Sequence, residues 1–343
     1  MNKKSKYNVA VIGVGAVGIE MLRVLRQRNF PIGELRVLAR SAREIEVDGQ
    51  KYNVQPISPD AFNGIDIALF AGTEGEKGAA VTYASEAVKR GAVVIDNGAD
   101  FRMDPKVPLV VPEVNANDVK KHKGIIANPN CSTIQMVVAL TPIHEKVGVK
   151  RVILTTLQAS SGAGKSAVDQ LKEETAQIAA RGNDNVHVDI QNKSMPQQLA
   201  YNCFPHIGSF TDDDYTNEEW KLVNETHKIM HADKIKISAT TVRVPVRTGH
   251  SESVYIETAK PIKPEQVRKI LSNAPGVVVI DEPKANRYPM PKDVEGKDET
   301  FVGRIRRDPF VKNGLWLWIV ADNLRKGAAT NAVQIAEELI KNK

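Results

Sequence analysis

The segment that most constrains this chain is Gly13-Val14-Gly15-Ala16-Val17-Gly18. It follows an apolar run over residues 7–14 and opens a helical pattern over 16–28, with Val17, Met21, Leu22, Val24 and Leu25 on one face. A G-x-G-x-x-G spacing between strand and helix serves three contacts. The first glycine permits the tight turn, the second lets a pyrophosphate approach the backbone, and the third lets helix and strand pack closely. The helix N-terminus then faces the anion. Further strands are predicted at residues 35–39, 65–70 and 93–96, with a helix over 78–90 ending at Gly91. This alternation predicts an α/β fold with a Rossmann-type, doubly wound dinucleotide-binding domain.

The pattern changes near Cys131. A long helix over 132–146 leads to a strand over 150–158 and a polar, helix-rich insert with a loop at Gly182-Asn183-Asp184. Two β-rich runs within 235–260 are joined through Arg247-Thr248-Gly249-His250 and are expected to pair antiparallel. The Trp316–Trp318 segment reads as a core or interface strand, and a last helix over about 327–341 is expected to return to the first domain. With 343 residues there is chain for two cores. The expected division is residues 1–131 with a C-terminal helix at 324–343, and an α+β domain over 132–323.

Composition excludes several classes. The net charge of +6 comes from scattered lysines and arginines, without a basic stripe interleaved with aromatics, so no nucleic-acid partner is expected. Two cysteines argue against a disulfide framework and for a reducing compartment. No apolar run approaches the roughly 18 residues of a membrane span, and the opening residues lack a signal-peptide core, so a cytoplasmic location is expected. Gly162-Ala163-Gly164-Lys165-Ser166 mimics the end of a phosphate loop, but Ala159 stands where its first glycine belongs. His227 and His231 share a helix face without an evident third ligand, and no metal site is expected.

The candidate chemistry gathers around a thiol. Cys131 lies in Asn128-Pro129-Asn130-Cys131-Ser132-Thr133 at the start of a helix, where the helix dipole favours thiolate. Cys203 lacks such a setting and reads as core. A nucleophilic thiol needs a proton partner, and His250 is the candidate. Arg243 alternates with Val242 and Val244 on a strand, a place from which a guanidinium can fork onto a carboxylate. Glu218 and Lys221 are i,i+3 neighbours, suited to a zwitterionic ligand or to a plain surface ion pair. Arg40 and Ser41 occupy the place where an NAD site carries a carboxylate, which favours NADP over NAD. A glycine loop and a thiol nucleophile together imply acyl capture on sulfur coupled to hydride transfer.

Over almost its full length the chain resembles the bacterial aspartate-β-semialdehyde dehydrogenases. The ordered motifs are the glycine loop, Arg40-Ser41-Ala42, Asp100-Phe101-Arg102-Met103-Asp104, the Cys131 segment and Gln158-Ala159-Ser160-Ser161-Gly162-Ala163-Gly164. Glu218-Glu219-Trp220-Lys221, Arg243 through His250-Ser251, and Val320 through Ala329 complete them. The resemblance implies that Cys131 forms an acyl-thioester, that His250 is the general acid/base and that Gln158 orients the substrate. It assigns the substrate carboxylate to Arg243 and the amino group to Glu218. Phosphate falls to Arg102, Lys221 and Asn130, and Ser161, Gly162 and Asn323 join Gly13 through Gly18 around NADP. It implies reversible reduction of L-4-aspartyl phosphate on the route to diaminopimelate, lysine, methionine, threonine and isoleucine, by a homodimer or a tetramer of dimers, with 132–323 as the catalytic and dimerisation domain. Two departures stand out: the glycine loop is one residue shorter than the usual family pattern, and Asn97-Gly98-Ala99-Asp100 replaces a serine-rich segment. The related N-acetyl-glutamyl-phosphate reductases usually carry Gly-Cys-Tyr-Pro instead of Asn-Cys-Ser-Thr. A non-catalytic dinucleotide-binding paralogue would not need Cys131, Gln158, Arg243 and His250 together.

Overall fold

The computed structural model describes residues 4–72, 78–182, 186–188, 190 and 193–341. Asn183 and Asp184 of the expected insert loop lie outside them. The chain forms two compact units, Met1–Asn130 with Gly327–Lys343, and Cys131–Lys326. Cys131 therefore opens the second unit rather than closing the first, and residues 324–326 belong to the second unit as well.

In the first unit, β1 (Tyr7–Ile12) leads through the glycine loop into α1 (Ala16–Gln27) and then β2 (Ile32–Ala39). A hairpin of β3 (Arg43–Val47) and β4 (Gln50–Pro56) follows, then β5 (Ile67–Phe70), α2 (Ala79–Lys89), β6 (Val93–Asp96), the short α3 (Pro112–Asn115) and β7 (Ile125–Ala127). The sheet order is β3-β4-β2-β1-β5-β6-β7. It is parallel except for the β3–β4 pair. The order reverses beside β1, so the glycine loop leaves the sheet at the switch point where open α/β sheets bind ligands. The antiparallel hairpin has no counterpart in the sequence reading, because its exposed, charged residues (burial is confined to Val47, Tyr52 and Val54) carry little apolar signal.

The second unit starts with α4 (Cys131–Val147), β8 (Val149–Gln158), α5 (Lys165–Arg181) and α6 (Asn217–Met230). It continues with β9 (Lys236–Arg243), β10 (His250–Thr258), α7 (Pro264–Ser272), β11 (Val277–Val279), the short α8 (Pro291–Val294), β12 (Thr300–Arg307) and β13 (Gly314–Ala321). Its sheet runs β11-β12-β13-β10-β8-β9. The expected antiparallel pairing of the two runs in 235–260 is corrected here: β8 lies between them, parallel to β9 and antiparallel to β10. The connection over residues 244–249 is too long for a tight hairpin. Instead it crosses the end of β8, where Val246 and Arg247 carbonyls accept from the Ser160 and Ser161 amides. The inward face buries Val152, Leu154, Val254, Ile256, Leu317 and Ile319 against Met136, Leu140 and Leu222 of the helices.

The last helix, α9 (Thr330–Lys341), follows a π-turn over Arg325–Ala329 and packs Ala332, Val333, Ala336 and Leu339 into the first unit's core with Val9, Val11 and Met21. Among the described residues, no helix is long and apolar enough to cross a membrane. Cys203 is exposed, contrary to its expected burial. Its neighbour Phe204 takes the buried place, exchanging both backbone hydrogen bonds with Arg243.

Candidate active site

The glycine loop has the geometry its spacing demands. Gly13 sits at φ +98°, a conformation that side chains disfavour, and a Cβ on Gly18 would lie 1.9 Å from the Gly13 carbonyl oxygen. A Cβ on Gly15 would meet nothing within 4 Å, so the backbone there faces open space. Gly15 is also the N-cap of α1 and makes no side-chain cap bond, which leaves the positive helix end available to an anion. Arg40 and Ser41 stand exposed immediately beyond β2. Arg43, at the end of the same basic turn, donates to Ser41 Oγ at 3.1 Å and so brings a second guanidinium to this corner.

Elsewhere in the first unit Arg102 is buried, and its guanidinium donates to the carbonyls of Asn128 and Asn97, both at 2.9 Å. Asn128 in turn donates to Asn97 Oδ1 and accepts from Asn331. Arg102 is thus held against the backbone that leads to Cys131. Asn130 is buried in the same segment.

In the second unit the sheet register assembles a row. Gln158 on β8 pairs with Arg243 on β9, and the pairing of Ser251 with Leu157 sets His250 of β10 level with Gln158. All three side chains point inward and are buried. Ala159, which has no side-chain chemistry to betray it, anchors two of them: its N–H donates to His250 Nδ1 at 3.0 Å, and its carbonyl accepts from Arg243 Nη1 at 2.6 Å. With Nδ1 used as an acceptor, the neutral imidazole carries its proton on Nε2. Burial, and next the Arg243 charge, push the His250 pKa down to about 3, so the ring is neutral at physiological pH. Burial also lowers the Arg243 pKa, while Glu218 and Cys131 act to hold its proton. Among the described residues, His250 Nε2 and Arg243 Nε are buried donors without partners.

The other expected residues close around this row. Gln158 accepts from Thr156 at 2.9 Å and donates to Glu218 at 3.2 Å, and Glu218 pairs with Lys221 at 3.3 Å. Glu218 is only 6 % exposed, which removes the plain surface-pair reading. Thr216 and Glu219 form a capping box at the start of α6, and Glu219 also accepts from the Thr241 amide of β9. Cys131 is half-buried at the first position of α4. A Cβ on Gly162 would lie 3.0 Å from His250 Cε1 and Nε2 and 3.2 Å from Arg243 Nη1. Ser161 and Asn323 hydrogen-bond each other, and Asn323 Oδ1 accepts from Gly249, the residue before His250. No group of three or more metal-ligating side chains is found among the described residues, and His227 Nε2 instead bonds the Ile235 carbonyl.

A Rossmann sheet carrying a dinucleotide loop, followed by a unit with a thiol, an imidazole and a buried guanidinium, defines a class of two-domain dehydrogenases. Family models agree: residues 8–122 match "Semialdehyde dehydrogenase, NAD binding domain", and residues 140–326 match "Semialdehyde dehydrogenase, dimerisation domain". The aspartate-semialdehyde dehydrogenase of Aquifex aeolicus is 54% identical, covering 98% of both chains, and that of Bacillus subtilis 49%, covering 97% of both. The crystal structure of aspartate semialdehyde dehydrogenase II from Vibrio cholerae superposes with a TM-score of 0.91 at 44% identity, over 98% of this chain and 99% of that one. The chain belongs to the aspartate-semialdehyde dehydrogenase family.

Proposed function

We propose that this chain catalyses the reversible conversion of L-4-aspartyl phosphate to L-aspartate 4-semialdehyde and phosphate, in the biosynthesis of lysine, methionine, threonine and isoleucine. The observation that carries the reading is the pair of unpartnered buried donors, His250 Nε2 and Arg243 Nε, in the unit whose first helix begins with Cys131. Family membership supports the same substrate. The match to a dimerisation model supports a homodimer.

Cys131 attacks the acyl carbon as thiolate, favoured by the α4 N-terminus and by the Arg243 charge. The S–C bond forms as the C–O bond to phosphate breaks, and phosphate leaves with the electron pair, giving a thioester. The open backbone at Gly15 and the uncapped start of α1 fit a pyrophosphate, and Arg40 with Ser41 fits a 2′-phosphate, so NADP is preferred over NAD. When bound, NADPH supplies the hydride. His250 donates its Nε2 proton as a hydrogen bond to the carbonyl oxygen while that oxygen gains negative charge. Collapse of the oxyanion then expels the Cys131 thiolate. This donor role asks for no lone pair on Nε2, in keeping with the Ala159 bond to Nδ1. Arg243 forks onto the α-carboxylate, Glu218 takes the α-ammonium group, and Gln158, tied to Glu218, orients the substrate. By the family resemblance, Ser161, Gly162 and Asn323 serve the cofactor, and Arg102, Asn130 and Lys221 serve the phosphate.

The test follows nicotinamide absorbance with aspartate semialdehyde, with and without phosphate, comparing NADP with NAD. Reduction is expected only with phosphate or arsenate, and faster with NADP. Phosphate-independent oxidation identifies a hydrolytic aldehyde dehydrogenase instead, and equal rates with NAD remove the assignment of Arg40 and Ser41.

A further inference from the structure

Beneath the row that carries His250, Gln158 and Arg243 lies a second one. Two residues further along each strand the register pairs Thr156 with Thr241 and Glu252 with Thr156, and Ile319 of β13 lies beyond Glu252. All four are 0 % exposed. Thr156 braces Gln158 through its hydroxyl, which gives this row a direct link to the one above. Glu252 is the unexplained member. Neither of its carboxyl oxygens makes a hydrogen bond of ordinary geometry, and neither does Gln135 Nε2, yet the two side chains lie near enough for the amide to act on the carboxyl. Gln135 lies on α4 one helical turn after Cys131.

A lone carboxylate cannot be kept ionised in such a place, because its desolvation far exceeds what uncharged neighbours return. Thr156 from β8, Ile319 from β13 and Gln135 from α4 are all uncharged. The titratable group nearest along the strand is His250, itself neutral, and the charges of Arg243 and Glu218 act on His250 rather than on Glu252. We propose that Glu252 is a positioning residue that works as an uncharged carboxylic acid, pairing with the Gln135 amide and bracing the first turn of α4, with Cys131, against the strand that carries His250. Burial also raises the Glu252 pKa well above the usual carboxylate range, with only the Gln135 amide opposing it.

Glu252→Gln keeps the shape and the neutral amide-like pairing, whereas Glu252→Leu removes it. The first is expected to hold kcat near the wild-type value. The second is expected to lower kcat by about tenfold with little change in KM, since Glu252 touches no substrate. Melting temperatures give a second measurement. A carboxyl whose folded pKa is raised contributes stability that is lost as pH rises from its unfolded pKa, so the advantage of Glu252→Gln over wild type should grow from about pH 5 to about pH 8. Wild-type kcat in Glu252→Leu overturns the positioning role, and so does equal loss in both variants. A pH-independent melting difference overturns the neutral acid, and this arm stands even if Glu252→Leu fails to fold. The kinetic arm rests on the thiol chemistry proposed above. The melting arm does not, so an enzyme without the expected reaction but with the pH-dependent difference refutes that function and leaves the charge state intact.

Discussion

Gly162 shows how far the site depends on a side chain that is missing. Its Cα faces both the His250 ring and the Arg243 guanidinium, and even one methyl group would lie about 3 Å from each. Real Cβ atoms are seldom so close, so the ring, the guanidinium or the loop must move. Gly162→Ala is therefore expected to lower kcat/KM by roughly 10- to 100-fold, since sub-ångström displacement of reacting groups is costly, while the melting temperature changes little. Steady-state kinetics beside a thermal melt check this, and undiminished kcat/KM would detach Gly162 from the site. In the sequence Gly162 is a motif glycine to which the family resemblance gives a cofactor role. That its space belongs to two other side chains follows from the meeting of β8, β9 and β10, which no local pattern encodes.

At the scale of elements, α6 joins helix start, sheet and site through one residue. Glu219 accepts from the Thr216 amide at 2.8 Å, closing the capping box, and its other oxygen accepts from the Thr241 amide at 2.9 Å. Its neighbour Glu218 reaches Gln158. Glu219→Ala opens the cap and leaves a buried β9 amide unpaired, for an expected loss of about 2 kcal/mol of stability. It should also raise KM for the semialdehyde by releasing Glu218. A variant with lower melting temperature but unchanged KM would show that Glu218 is positioned without the cap. The i,i+3 spacing of Glu218 and Lys221 was legible in the sequence, but their burial was not. Likewise the β-runs before and after residues 244–249 were legible, whereas β8 lying between them depends on hydrogen bonds between strands far apart in the chain.

At the scale of the whole molecule, the dinucleotide loop and the thiol belong to separate compact units, 1–130 with 327–343 and 131–326. Losing the nucleophile should therefore leave the loop intact. Cys131→Ser is expected to abolish turnover while NADP still binds, checked by assay together with fluorescence or calorimetric titration of the cofactor. Wild-type turnover in this variant would refute the thioester route, and lost NADP binding would refute the independence of the loop. By itself the sequence determined what is local: the glycine turn after β1, the helix that begins at Cys131, the strand periods and the ordered motifs of the family. These follow from backbone sterics and short-range periodicity, which neighbouring residues fix. Only the tertiary structure decided which nitrogen of His250 holds the proton, that Cys203 is exposed, and that Glu252 is sealed beneath the site. Each depends on burial and on hydrogen bonds between residues distant in the chain, and these exist only once the sheet has formed.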